Sequence, residues 1–446
     1  MPFDLAKRKR YYNLCDPREP LEPNDPRNVD IDRLGEGDIR GLNWVERLAA
    51  RIELSNEPVF SLFTGLPGSG KSTELKRLKV RLEAPNGANL LVVEANAEEL
   101  LDASGTLDIP DLIAAILYSA ERTVIQAEGG DPDRAMQDGY FKRLFDWLTR
   151  TDIEFTKGEF AIPSGPKIVA EMRLRPALRK RVRSFLASNL GRYLTEARQE
   201  IARLDERARK RGRSGMALIF DSLEEVRGTS DNWDEVLQSA EHVFAGGAPY
   251  LRLPIHTLYT IPVPLVVRRL SDVEFIPMLK LHDRRGVRFE PGFEAARTIV
   301  HKRIPPDVLP ELLGADADAR LDQIIVRSGG YPRELIRLLQ AAVLSPTHPL
   351  TEAAFRRVLS EAADNYTRVL TEQMKPWLAR VRQSQDLSVV DHEEHLKLVD
   401  RAIQNNLVYR YLNEHEWFDV APAIQSTIDA FAAAAQQEAP QKEPAE

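Results

Sequence analysis

Gly65-Leu66-Pro67-Gly68-Ser69-Gly70-Lys71-Ser72-Thr73 lies between an apolar run and an amphipathic one. It fits G-x-x-x-x-G-K-[ST], the loop that wraps nucleotide phosphates. Glycines let the backbone take positive φ and turn its N–H groups toward phosphate oxygens. The helix that begins after the loop adds a partial positive charge. Lys71 would neutralise the β- and γ-phosphates, and the Ser72 hydroxyl would be a Mg²⁺ ligand. The flanks supply the context that the motif requires. Val59-Phe60-Ser61-Leu62-Phe63-Thr64 reads as a buried strand, while Leu75, Leu78 and Leu82 fall at helical spacing.

Working outward, residues 38–52 predict a helix with Trp44, Leu48 and Ile52 on one face, and 89–95 a second strand. The next strand is Met216-Ala217-Leu218-Ile219-Phe220-Asp221, and 253–267 and 274–281 suggest two more. Strands separated by helices imply an α/β fold with a largely parallel sheet. Residues 1–34 are rich in Pro, Asp and Arg and predict an extended arm or an irregular segment packed on the body. Residues 96–215 predict a helical insert, with helices over 109–127 and 136–149, a loop or short hairpin over 151–166, and a charged run over 176–211. Arginines crowd 173–213, which fits a solvated helical face or a surface for nucleic acid or an acidic partner. Residues 286–350 turn helical, 351–428 predict a small separate domain, and the Ala/Gln/Glu/Pro tail over 429–446 reads as disordered.

The 446 residues exceed a single core and suggest two or three domains. A net charge of −7 gives no global support for nucleic-acid binding, although a local basic patch stays open. The single cysteine, Cys15, excludes an intrachain disulfide and a cysteine-rich zinc site, and fits a cytoplasmic setting. No apolar stretch approaches the roughly 20 residues of a membrane helix.

The 216–221 strand ends in an acid. A carboxylate there, on the strand beside the phosphate loop, would hold Mg²⁺ through Asp221. Glu224 or Glu225 could polarise the attacking water as general base, or both could cap and solubilise the next helix. Thr260 ends another strand, where a hydroxyl would meet the γ-phosphate and water or serve the strand itself. Arg268 and Arg269 could reach a phosphate across a subunit interface, or sit in solvent.

A family resemblance rests on four stretches. Ile39-Arg40-Gly41 ahead of the Trp44 helix resembles the box that precedes the phosphate loop in AAA+ and STAND-type ATPases. Phe220-Asp221-Ser222-Leu223-Glu224-Glu225 is similar to the D-G-L-D-E form of the second nucleotide motif in STAND proteins, including the NACHT group. Gly329-Gly330-Tyr331-Pro332-Arg333-Glu334-Leu335 resembles the G-x-P-R-x-L motif of their lid, in which the Pro packs near the base and the Arg senses the γ-phosphate. Residues 396–405 with the hairpin pattern over 408–420 look like the winged-helix domain that often follows that lid. The resemblance covers 35–95 and 216–425, and Ser222 departs from the adjacent Asp-Glu usual in AAA+ proteins.

The resemblance implies a P-loop NTPase sheet with a helical insert, a helical lid and a C-terminal winged helix. It also implies ATP or ADP with Mg²⁺, and contacts to nucleotide from Arg40, Gly41, Pro332 and Arg333. The leading expectation is an ATP-hydrolysing switch, slow or partner-stimulated, that couples nucleotide state to a protein partner or to self-assembly. The alternatives are a DNA-binding ATPase similar to origin-recognition or transposition ATPases, and a scaffold that binds nucleotide without hydrolysis. In the helix before the hairpin, Lys397 and Arg401 face Glu393, Glu394 and Asp400, which favours a protein partner over a DNA groove. A small-molecule kinase would need an Arg-bearing lid over a second pocket, which the 329–335 motif does not supply.

Overall fold

Alternate residues along each central strand feed two different cores. In the computed structural model, Leu62, Leu91, Val93, Leu218, Phe220 and Tyr259 pack on one side, and Phe63, Leu90, Val92, Ala217, Ile219 and Leu258 on the other. Successive side chains on a strand point to opposite faces, so a strand apolar throughout is covered twice. The structure describes residues 3–34, 38–132, 183–229, 231–387 and 393–438, apart from 185, 268, 269 and 271.

The sheet comprises β1 (Phe60–Gly65), β2 (Leu90–Asn96), β3 (Gly215–Asp221), β4 (His256–Thr260) and β5 (Val273–Ile276), in the order β2-β3-β4-β1-β5. Every pairing is parallel, with Phe63 opposite Thr260 and Phe220 opposite Tyr259. The molecule is therefore an α/β P-loop fold. One expectation needs correction. The acid-bearing strand β3 does not lie beside β1, because β4 is inserted between them. Pairing is a long-range choice that strand periodicity does not encode.

Among the described residues the first long helices of the chain are α1 (Leu5–Leu14), α2 (Trp44–Glu53), α3 (Lys71–Glu83), α4 (Ile109–Ala127) and α5 (Leu190–Lys210). Helices α2 and α3 cover one face of the sheet through Trp44, Leu48, Leu75, Leu78 and Leu82. Helices α4 and α5 cover the other, with Leu112, Ile116, Tyr193, Ile201 and Leu204 inward. The ends of the expected insert are thus the sheet's own covering layer. On α5 the arginines are largely engaged: Arg207 pairs with Glu128 at 2.6 Å, Arg209 with Asp205 at 2.7 Å and Arg192 with Glu196 at 3.1 Å. The helix expected over 136–149, the loop over 151–166 and the arginines from 173 to 181 lie outside the described residues, as do Arg268 and Arg269. The 253–267 strand is shortened to 256–260, since Pro262 and Pro264 cannot continue it.

After α6 (Trp233–Glu241), the helical unit expected as a lid contains α7 (Glu290–His301), α8 (Leu309–Leu313), α9 (Ala317–Ser328) and α10 (Pro332–Leu344). Its core takes in Phe3, Tyr11, Cys15 and Ile31, so the N-terminal segment is built into the lid. The extended arm is corrected to this extent: residues 5–14 are helical, with the Asp4 side chain capping the Lys7 N–H at 2.9 Å. The C-terminal unit follows as α11 (Glu352–Thr367), α12 (Lys375–Ser384), α13 (Glu393–Gln404), the antiparallel hairpin β6 (Val408–Leu412) and β7 (Glu416–Val420), and α14 (Gln425–Glu438). The chain does not break at 351. Phe355, Val358 and Ala362 of α11 enter the lid core, whereas Tyr366 enters the C-terminal one. Of the tail expected to be disordered, residues 429–438 continue α14 to Glu438, and 439–446 lie outside the described residues. Ile428 anchors its first turns in the core, and the alanine run has high helix propensity.

Candidate functional site

The parallel order brings the C-terminal ends of β1, β3 and β4 to one edge, where open α/β sheets bind ligands. The phosphate loop leaves β1 there. Gly68 (φ 90°) and Gly70 (φ 100°) take left-handed backbone, and Gly70 opens α3 with no side-chain cap. The first N–H groups of α3 therefore keep capacity for an anion. A β-carbon at Gly68 would stand 2.4 Å from the Arg333 Nε, so the lid arginine lies directly on the loop. That Nε is buried and finds no hydrogen-bond partner among the described residues, as is true of the Ser69 hydroxyl. These donors over a glycine cradle fit a polyphosphate.

Lys71 is 4% exposed. Its Nζ donates to the Gly65 carbonyl at 2.9 Å and pairs with Glu224 Oε1 at 2.8 Å. Ser72 hydrogen-bonds to the Asp221 carboxylate. The two acids are three residues apart in sequence, and a turn reunites them. Ser222 takes a left-handed conformation (φ 65°), its N–H donates to Asp221 Oδ1 at 2.7 Å, and a 3₁₀ turn over Leu223–Glu225 brings Glu224 back to the loop. Thr260 Oγ1 accepts the Leu223 N–H at 3.0 Å and so fixes that turn. Burial, then the neighbouring Glu224 charge, pushes the Asp221 carboxyl up to about 6. Burial also acts to raise Glu224, but the Lys71 ammonium and its hydrogen bond, helped by the Thr260 hydroxyl, outweigh it and hold Glu224 below the usual carboxylate range. Glu225 instead pairs with Arg227 at 2.9 Å, so of the two acids Glu224 is the one that meets Lys71.

The other expected residues divide. A cleft of about 1210 Å³ is lined by Gly68, Gly70, Lys71, Ser72, Thr73 and Asp221, and Pro332, Arg333 and Arg40 also reach it. Arg40 is nonetheless an internal strut: Nη1 pairs with the buried Glu74 at 2.9 Å and Nη2 donates to the Ser69 carbonyl at 3.3 Å. Gly41 is placed against β6, where a β-carbon would meet Leu412 at 2.7 Å. Leu66 enters the C-terminal core, and the Pro67 carbonyl accepts the Tyr331 hydroxyl. Gly65 packs tightly on Ile276, 2.2 Å from where its β-carbon would be. Thr73 accepts the Leu21 N–H at 3.2 Å and draws the N-terminal segment alongside the cleft. Sequence reasoning assigned no role to Tyr331, Glu74 or Leu21. Tyr331 directly precedes Pro332, but a lone tyrosine there gives no sign of what its hydroxyl will reach.

No protein-family model matches the chain. No curated protein matches it in sequence. Among solved structures, a Walker-type ATPase of Pyrococcus abyssi is similar with 12% identity and a TM-score of 0.42, over 93% of this chain and 99% of its own. The ORC2 protein of Aeropyrum pernix, solved as ADPNP–ADP complexes, is similar with 14% identity and a TM-score of 0.37, over 96% and 98%. Cdc6p of Pyrobaculum aerophilum is similar with 11% identity and a TM-score of 0.32, over 95% and 98%. The reading of the site rests on its own geometry.

Proposed function

We propose that this protein binds and hydrolyses ATP as a molecular switch, with the lid and the C-terminal unit reporting the nucleotide state to a protein partner or to further copies of the chain. The observation that carries the reading is the convergence on one glycine loop of Lys71, the Ser72–Asp221 pair, Glu224 and the Arg333 Nε, which has no hydrogen-bond partner among the described residues. Lys71, Arg333 and the first N–H groups of α3 neutralise and orient the phosphates. Ser72 and Asp221 are the residues that would hold Mg²⁺, which supplies charge neutralisation at the phosphates. Glu224 takes a proton from water while the water oxygen bonds to the γ-phosphorus. The bond from that phosphorus to the β–γ bridging oxygen breaks, and ADP leaves with the electron pair. Thr260 is a positioning residue that holds the Glu224 turn. Adenine is the base implied by the AAA+/STAND resemblance, and the C-terminal unit is read as a winged helix on the pattern of α13 with the β6–β7 hairpin.

A DNA-binding role receives less support. Lys397 and Arg401, the basic residues of α13, turn toward Asp234 at 3.9 Å and the Trp233 ring at 5.8 Å. The test is steady-state ATP hydrolysis with wild type beside Lys71→Ala and Glu224→Gln over a range of protein concentrations. Lys71→Ala should lose binding and turnover, and Glu224→Gln should keep binding and lose turnover. Specific activity that rises with concentration marks a site shared between copies. Wild-type turnover no greater than that of Lys71→Ala refutes hydrolysis.

A further inference from the structure

A second cavity, of about 20 Å³, touches the phosphate loop at Pro67 and the base at Glu224. Its other walls include Arg227 in the turn after Glu224, Trp233 at the start of α6, Pro262 after β4 and Gln404 at the end of α13. On this measure a water needs at least about 10–15 Å³ and two to four polar partners. The cavity offers both. The Oε2 of Glu224 is buried and has no hydrogen-bond partner among the described residues, while Oε1 is held by Lys71 at 2.8 Å. The guanidinium of Arg227 is fixed by Glu225 at 2.9 Å and by the Glu224 carbonyl at 3.3 Å. Gln404 brings an amide that can both donate and accept. It arrives from the C-terminal unit, whose helix α13 is seated on α6 by the contacts of Arg401 with Trp233 and Lys397 with Asp234.

We propose that this cavity seats the attacking water and that Gln404 is a positioning residue lent by the C-terminal unit, so that hydrolysis proceeds only while α13 is docked. The inference rests on Glu224 being the base of the reaction proposed above. The Gln404 amide oxygen accepts one O–H of the water and the Glu224 Oε2 accepts the other. The second proton passes to Glu224 as the water oxygen bonds to the γ-phosphorus and the bridging bond to ADP breaks. Attack is then oriented from two sides instead of one, the kind of placement that governs rate more than affinity. Undocking of α13 by a partner would remove Gln404 and slow turnover with nucleotide still bound.

The experiment uses the full chain with ATP and Mg²⁺, single-turnover hydrolysis and equilibrium ATP binding measured on the same preparations. Gln404→Leu should lower turnover by about tenfold or more with affinity held within about twofold. Gln404→Glu, close in size, places a second carboxylate at Glu224 and should move the acid limb of the pH–rate profile to higher pH. Turnover of Gln404→Leu close to wild type overturns the proposal, as does loss of ATP binding together with turnover, which marks a structural role. An acid limb in Gln404→Glu that does not move also overturns it. An active wild type with an indifferent Gln404 sinks this inference alone, whereas a wild type no faster than Lys71→Ala sinks the hydrolysis reading and this one with it.

Discussion

Ser222 holds a left-handed backbone that side chains larger than glycine seldom adopt without local help. The help comes from its N–H bond to Asp221 and from Thr260, which receives the next N–H. The strain sits where it shapes the site, since this one residue turns Glu224 back to Lys71. A β-branched side chain tolerates that conformation least. Ser222→Val should lower unfolding stability by about 1–2 kcal/mol. Thermal melts should record that loss, and hydrolysis should fall further than ATP affinity. A variant as stable and as active as wild type would separate the turn from catalysis. The non-adjacent acids, which read in sequence as a departure from the family pattern, are brought together by this kink.

Helices α2 and α3 show how an element can be pinned by charge from outside it. Asp32 Oδ2 accepts the Trp44 N–H at 3.0 Å, satisfying the first donor of α2. Burial pushes the Asp32 carboxyl up to about 6, with Arg40 opposing and Glu74 reinforcing the shift. The folded state therefore binds this proton more tightly than the unfolded chain, whose carboxyl titrates near 4. The stabilisation from this group is complete below about pH 4 and is lost as pH rises through about 6. Asp32→Asn should match wild type at low pH and gain over it toward neutrality, by on the order of 1–2 kcal/mol. Urea midpoints of both proteins across that range check it, and a difference that stays constant with pH would show that Asp32 titrates normally. Nothing in the local periodicity of 38–52 foretells this. The helix itself was legible from Trp44, Leu48 and Ile52, and its start at Trp44 follows from Asn43, which caps the Glu46 N–H at 3.1 Å.

Across the whole molecule, the phosphate loop is read by two other units at once. Arg333 covers it from the lid, and Leu66 is buried in the C-terminal core beside Tyr331, Tyr409 and Trp417. Tyr331 joins the three, with its hydroxyl on the Pro67 carbonyl, its ring edge-on to Tyr409 at 5.5 Å and Asn406 3.4 Å from the same oxygen. Tyr409 in turn meets Tyr366 at 3.0 Å, so one buried row runs from loop to C-terminal unit. Tyr331→Phe keeps the ring and leaves the Pro67 carbonyl without its partner, at a cost of about 1–3 kcal/mol. Hydrogen exchange should speed up in β6, β7 and α13, and ATP should protect those elements less than in wild type. Exchange that is unchanged there would show that the row does not join the units.

The phosphate loop, the acid at the end of β3 and the closing hairpin are contiguous stretches that local chemistry identified in the sequence, whereas the motif at Pro332 was identified by family resemblance. Glycine φ freedom, a strand's alternation and a helix's periodicity act over a few residues, so their signatures survive without a fold. The tertiary structure decided what those stretches do to one another. It inserted β4 between β1 and β3, paired Glu224 with Lys71, turned Arg40 inward to Glu74, and seated Arg333 on Gly68. It also built the N-terminal segment into the lid core and brought Gln404 to the cavity beside Pro67 and Glu224. These outcomes depend on which apolar faces find each other across hundreds of residues, and burial is non-directional until the whole core closes.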